Sequence, residues 1–186
     1  MLQEGSLLTR TGVPPRSSIA FRSVAGADTP FLRHLYGTTR EDEMQLVPWT
    51  PEQKAAFLDM QFQAQAAHYT EFYPHCQFLM IELEGRPIGR LYIDRGEDDI
   101  RITDIALLPE WRGHGIGRML MEEILAEGRN TGKRVTIYVE HYNPARGLYD
   151  RLGFRHVDTN GVYHFMEWRP EVPIEGQGVE ARESIP

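Results

Sequence analysis

Residues 105–120 read Ile105-Ala106-Leu107-Leu108-Pro109-Glu110-Trp111-Arg112-Gly113-His114-Gly115-Ile116-Gly117-Arg118-Met119-Leu120. The apolar run predicts a strand that stops at Pro109. Arg112 then opens a glycine-rich turn, and Met119-Leu120 begin an amphipathic helix. Glycines at 113, 115 and 117 strip the turn of side chains, so that a ligand can reach the backbone. The first turn of a helix leaves N–H groups without partners, and its dipole adds positive potential there. Together these make a backbone cradle suited to a pyrophosphate. The same glycines also suit a tight turn that binds nothing. Spelling excludes two other phosphate loops. A dinucleotide fingerprint needs a glycine where Arg118 stands, and a P-loop needs Lys then Ser or Thr where Arg118 and Met119 follow Gly117.

Upstream, residues 100–108 form the strand itself, after a turn at 96–99. Two β-rich runs, 77–83 and 87–94, are joined through Glu84-Gly85-Arg86 as a hairpin. Two helix starts precede them. Asp28, ahead of Thr29-Pro30, is an N-cap candidate for a helix through Phe31, Leu32 and Leu35. Thr50-Pro51-Glu52-Gln53 spells a capping box, with Phe57, Met60 and Ala64 on one face of the helix that follows. A short strand at 19–24 comes first. Downstream, a helix over 115–131 ends near Gly132, and residues 134–140 alternate Val135, Ile137 and Val139 as a strand. A short helix at 144–152, closed by Gly153, and strands at 154–157 and 162–168 complete the order. This is an α/β or α+β arrangement on a mixed sheet. Residues 1–18 and 170–186 read as a flexible leader and tail, which leaves one domain at 19–169.

Composition bounds the rest. The chain has 186 residues, 41% of them apolar, which suffices for one domain with a real core. Cys76 stands alone, so neither an intrachain disulfide nor a cysteine zinc cage is available. The seven histidines show no paired helical spacing, and no metal site is expected. No apolar run is long enough to span a bilayer, and the first residues lack a signal-peptide core, so a cytoplasmic protein without membrane contact is expected. The net charge of −7 argues against a general nucleic-acid surface. The charge is uneven, however. Residues 101–155 hold nine Lys or Arg against seven Asp or Glu, while the remainder holds eleven against twenty. The acidic excess therefore lies away from the glycine loop. There it either favours a cationic acceptor or keeps the protein soluble.

Arg112-x-x-Gly115-x-Gly117 resembles the acetyl-CoA signature of the GNAT superfamily of N-acetyltransferases. A second motif of that family appears in the right order as Asn143-Pro144-Ala145-Arg146-Gly147-Leu148-Tyr149-Asp150-Arg151-Leu152-Gly153-Phe154. The element order is similar over nearly all of 19–169. The resemblance implies a mixed, mostly antiparallel sheet of about six or seven strands flanked by helices, with a splayed central strand pair. It also implies an acetyl-CoA-dependent enzyme that transfers acetyl directly to a primary amine of a small molecule or peptide, and it leaves a homodimer open. The alternative is a non-catalytic domain that binds acyl-CoA or acts as a regulatory module.

Carried over residue by residue, the resemblance assigns the pantetheine-pairing strand to Ile105, Ala106 and Leu107, beside a bulge. A backbone N–H near Leu107 would polarise the thioester carbonyl. The amides of Gly113, His114, Gly115, Ile116, Gly117 and Arg118 would hold the pyrophosphate, with charge added by Arg112 and Arg118. As a side chain, Arg118 also reads as a solvated surface arginine, and His114 as a tolerated loop residue. Asn143 matches the asparagine that contacts the cofactor arm, although its interval to Tyr149 is one residue shorter than in many members. Asn143 before Pro144 equally spells an N-cap. Tyr149 matches the general acid, and packing with a satisfied hydroxyl is its other reading. For the proton acceptor, Asp104 stands out. By two-residue alternation it shares a strand face with Ile100, Ile102 and Ala106, where a carboxylate needs a partner or a raised pKa. Glu140 and His141 are the next candidates. Glu41-Asp42-Glu43, Trp49, Phe72 and Tyr73 lie where N-terminal helices would wall the acceptor site, or form an acidic solvated loop above core aromatics.

Overall fold

The computed structural model describes residues 14–171, so parts of the expected leader and tail, 1–13 and 172–186, lie outside the described residues. Strands β1 (Ile19–Ser23), β2 (Gln77–Leu83), β3 (Arg86–Arg95), β4 (Asp99–Leu107), β5 (Arg134–Glu140), β6 (Arg155–Asn160) and β7 (Tyr163–Trp168) form one sheet in the order β1-β2-β3-β4-β5-β7-β6. Only β4 and β5 run parallel; every other pair is antiparallel. Helices α1 (Thr29–Thr39), α2 (Glu41–Gln45), α3 (Pro51–Phe72), α4 (Ile116–Thr131) and α5 (Arg146–Arg151) connect them. The mixed sheet and its flanking helices match the fold class expected from sequence. Among the described residues, no helix is long and apolar enough to cross a membrane.

Each face of the sheet is covered by a different set of helices. On one, Ile116, Leu120, Met121, Ile124 and Leu125 of α4 pack against Ile93, Ile100, Ile102, Val135 and Ile137. Burying each large aliphatic side chain there stabilises the fold by about 1.5–3 kcal/mol. On the other, Leu32 and Tyr36 of α1 meet Phe62 of α3 and Met80 of β2. The capping box forms as spelled. The Thr50 hydroxyl accepts from Gln53 N–H at 3.3 Å, and the Gln53 side chain accepts from Thr50 N–H at 2.9 Å. The expected apolar face of α3 is wrong, however. Met60 is 56% exposed and Ala64 is exposed, while Leu58, Phe62, Gln65 and Tyr69 turn inward. That stripe ends in polar residues because its second half walls a cleft instead of a dry core.

Two further boundaries differ. Arg86 belongs to β3, because Glu84 and Gly85 alone make the turn, both at positive φ. The short helix begins at Arg146, since Pro144 and Ala145 form a turn held by Asn143, whose Oδ1 accepts from Ala145 N–H at 2.9 Å. Asn143 therefore uses its carbonyl oxygen as a local cap.

Asp28 does not cap α1. Its carboxylate takes two hydrogen bonds of 2.7 Å from Arg22 and one of 2.8 Å from Ala25 N–H, tying β1 to the entry of α1. Arg22, and then the Ala25 amide, hold the Asp28 carboxyl down to about 2 from an ordinary 3.8. The folded state binds this proton less readily than the unfolded chain. Its contribution is therefore complete above about pH 4 and vanishes as pH falls through about 2. Asp28→Asn should flatten the melting-temperature profile in that window, and an unchanged slope would assign the acid sensitivity elsewhere.

Candidate active site

Two features of β4 create the site. Its pairing with β5 runs only from Asp99↔Arg134 to Ile102↔Ile137, after which the two strands diverge. Its register with β3 jumps from Ile102↔Ile93 to Asp104↔Tyr92, which leaves Thr103 as a bulge. The bulge reverses the alternation. Ile100 and Ile102 face α4, but Asp104 and Ala106 face α3 together with Tyr92 and Arg90. The expected face shared by Asp104 and Ile102 is thus corrected, because one extra residue flips every side chain after it. Gly89, opposite Leu107, permits a close approach here. A Cβ on Gly89 would lie 2.3 Å from the Ala106 carbonyl oxygen.

The glycine loop leads from β4 into α4. Gly113 and Gly115 have φ of 75° and 76°, and Gly115 is the N-cap. The first helical bond is from Met119 N–H to the Gly115 carbonyl at 3.0 Å, so Ile116, Gly117 and Arg118 have amides without an intrahelical acceptor. A Cβ on Gly117 would meet no protein atom within 4 Å. Packing therefore does not require this glycine, and its absent side chain leaves the first turn bare. These features fit a bound pyrophosphate.

The loop's side chains do other work. Arg112 donates from Nε to the Leu107 carbonyl at 2.8 Å and from Nη2 to Thr38 Oγ1 at 3.0 Å, bracing the loop against β4 and α1. Arg118 pairs with Glu122 on the surface, and His114 Nδ1 lies 2.9 Å from the Arg112 carbonyl. The Ile116 side chain is wholly buried in the core, leaving only its backbone for a ligand.

The gap between the diverging strands is a cleft of about 970 Å³. Asp104, Ile105 and Ala106 line one side, with Tyr138, Glu140, Asn143 and Tyr149 on the other. Tyr149 is 4% exposed and packs on Phe154 with ring centres 5.7 Å apart. Among the described residues its hydroxyl makes no hydrogen bond. Burial, and secondarily the charge of Asp104, push its phenol well above the ordinary tyrosine value, so the group is held protonated. Asp104 Oδ2 accepts from Arg90 Nη2 at 2.6 Å and from the Tyr69 hydroxyl at 2.9 Å. Glu140 Oε1 accepts from Arg40 Nη1 at 2.8 Å and from the Tyr163 hydroxyl at 3.4 Å. His141 stands outside the cleft, exposed and packed edge-on to His164.

Of the expected acceptor wall, only Tyr73 lines the cleft. Phe72 is 61% exposed, Trp49 packs on Phe57, and Glu43 is bound to Arg40. Arg90, Tyr69, Gln65 and Arg40 were not singled out by sequence patterns. One signal was present: Arg90 is a charge inside the otherwise apolar run 88–93 of a central strand.

A model of the acetyltransferase (GNAT) family matches residues 33–154, a span that contains the loop, most of the cleft lining and Tyr149. The chain belongs to the GNAT family. One relative is a putative ribosomal protein bS18-alanine N-acetyltransferase of Bacillus subtilis, 33% identical over 84 residues, or 44% of this chain and 56% of that protein. Another is an uncharacterized N-acetyltransferase of Mycobacterium bovis, 31% identical over 120 residues, or 62% of this chain and 74% of that protein. The GNAT fold is shared with the PaiA N-acetyltransferase of Thermoplasma acidophilum, whose crystal structure contains coenzyme A. The TM-score is 0.61 at 18% identity, covering 82% of this chain and 99% of that one.

Proposed function

We propose that the protein is an N-acetyltransferase that uses acetyl-CoA to acetylate a primary amine of a small molecule or a peptide. The observation that carries this reading is the bare, unpaired first turn of α4, in the loop that follows the end of β4 where it has parted from β5. A pyrophosphate and an extended arm need these two features side by side. The names of the relatives and the coenzyme A of the Thermoplasma structure support it.

Acetyl-CoA supplies the acetyl group as an activated thioester. The amides of Gly113 to Arg118 hold its pyrophosphate, and the edge of Ile105, Ala106 and Leu107, beyond the last pair with β5, aligns the arm. A backbone N–H near Leu107 polarises the carbonyl. Asn143 Oδ1 already accepts from Ala145 N–H, so its side-chain amide nitrogen is the group without a partner among the described residues and is available to the arm. Asp104 accepts a proton from the amine at Oδ1, the oxygen that Arg90 and Tyr69 leave free. Glu140 is the less suited carboxylate, since Arg40 and Tyr163 both hold it. Tyr149 donates a proton to the departing sulfur.

The test is thiol release from acetyl-CoA across a panel of polyamines, amino acids, aminoglycosides and peptides. Amine-dependent release is expected. Stabilisation by coenzyme A without turnover on any amine would favour a non-catalytic binding domain. Stabilisation by ATP but not by coenzyme A would remove the cofactor assignment.

A further inference from the structure

Arg90 is 3% exposed, yet it lines the cleft beside Asp104. Among the described residues only one of its three guanidinium nitrogens makes a hydrogen bond. Nη2 donates to Asp104 Oδ2 at 2.6 Å and to Gln65 Oε1 at 3.0 Å. Nε is sealed in the interior, as are the Nε atoms of Arg101, Arg134 and Arg146. Nη1 is not sealed in this way, and a donor left unmade beside a cleft calls for a partner. The Tyr92 ring, 5.2 Å from the guanidinium carbon, helps hold the group in place.

Asp104 shows the complementary pattern. Both of its protein donors, Arg90 and Tyr69, converge on Oδ2, so Oδ1 has no donor among the described residues, and the side chain is 13% exposed. The pair therefore presents one unused donor, Arg90 Nη1, and an unused anionic oxygen, Asp104 Oδ1, side by side. Arg40, Arg90 and Arg101 line the cleft with Asp104 and Glu140, and each arginine is ion-paired: Arg40 with Glu43 and Glu140, Arg90 with Asp104, and Arg101 with Asp99.

We infer that the Arg90–Asp104 pair is an acceptor subsite for an α-amino carbonyl group, with the amine at Asp104 Oδ1 and the oxygen of the adjoining carbon at Arg90. The inference rests on the acetyltransferase reading and narrows its acceptor to free α-amino acids or peptide N-termini. Side-chain amines and polyamines lack the adjoining oxygen and leave Arg90 unpaired. A site built to hydrogen-bond a substrate oxygen discriminates strongly against an analogue without it.

The experiment compares L-alaninamide, L-alanine and the dipeptide Ala-Ala with isopropylamine, which has the same skeleton without the carbonyl, each at equal concentration of neutral amine. At least one carbonyl-bearing amine should show a KM about tenfold or more below that of isopropylamine. A preference for alanine identifies a free amino acid, and a preference for alaninamide and Ala-Ala identifies a peptide terminus. Arg90→Lys keeps a cation for Asp104 but loses the fork. It should raise the KM of the preferred amine about tenfold more than that of isopropylamine, since both amines meet Asp104 and only the preferred one meets the fork. Equal KM values for all four amines in the unaltered protein overturn the inference, whether or not the variant folds. Binding is also read without turnover, as the shift in melting temperature of the coenzyme A-saturated protein. A larger shift with the carbonyl-bearing amines supports the subsite even if acetyl transfer fails, and equal shifts reject it.

Discussion

Gly117→Asp is expected to weaken coenzyme A binding about 100-fold while leaving the melting temperature unchanged or slightly raised, equivalent to losing two charge-assisted hydrogen bonds of about 1.5 kcal/mol each. The two effects separate because they have different physical sources. Outside its chain neighbours and its own helix backbone, a Cβ at this position meets nothing within 4 Å, so the branch point of the new side chain adds no clash. Replacing a helical glycine improves helix propensity, and a carboxylate in the first turn suits the dipole. The same carboxylate occupies the bare turn that a pyrophosphate needs and repels it. Titration calorimetry with coenzyme A reads the loss, and Gly117→Ala should fall between the two. Unchanged affinity in the aspartate variant would place the pyrophosphate elsewhere.

Tyr149→Phe is expected to lower kcat about 100-fold, the usual size of a lost general acid, with little change in coenzyme A affinity or stability. The hydroxyl makes no hydrogen bond among the described residues, so the fold loses only one polar atom, and the ring keeps its contact with Phe154. Burial and the nearby Asp104 charge favour the protonated phenol, the form a proton donor needs. The unaltered enzyme should therefore show no alkaline loss of activity from Tyr149 over the ordinary tyrosine range. A variant that turns over at the original rate would make Tyr149 a packing residue.

Much of the site was legible because the chemistry of the glycine loop is local. Left-handed glycines, a bare first helical turn and a strand ended by proline are set by residues a few positions apart. The same holds for the Thr50 capping box and for the alternation that places Val135, Ile137 and Val139 in the core. Asn143 belongs with these only in part: its Oδ1 accepts from Ala145 N–H two residues on, but in a turn ahead of the helix, whose N-cap is Ala145 and not Asn143. Asp28 shows where local reading stops. Its side chain could cap a helix, but Arg22 on the neighbouring strand competes for the same oxygens, and a bidentate charged pair is stronger than a cap.

The acceptor half of the cleft was not legible. Asp104 could be picked out as a carboxylate needing a partner, but its face could not be read, because the bulge at Thr103 exists only in the register between β3 and β4. Its partners come from Arg90, 14 residues away, and Tyr69, 35 residues away. By itself, then, the sequence determined the strand–loop–helix that fits a pyrophosphate, since backbone geometry there depends on near neighbours. Only the tertiary structure decided which charges face the cleft, since strand pairing and the docking of α3 against β3 and β4 bring together groups that no local pattern connects.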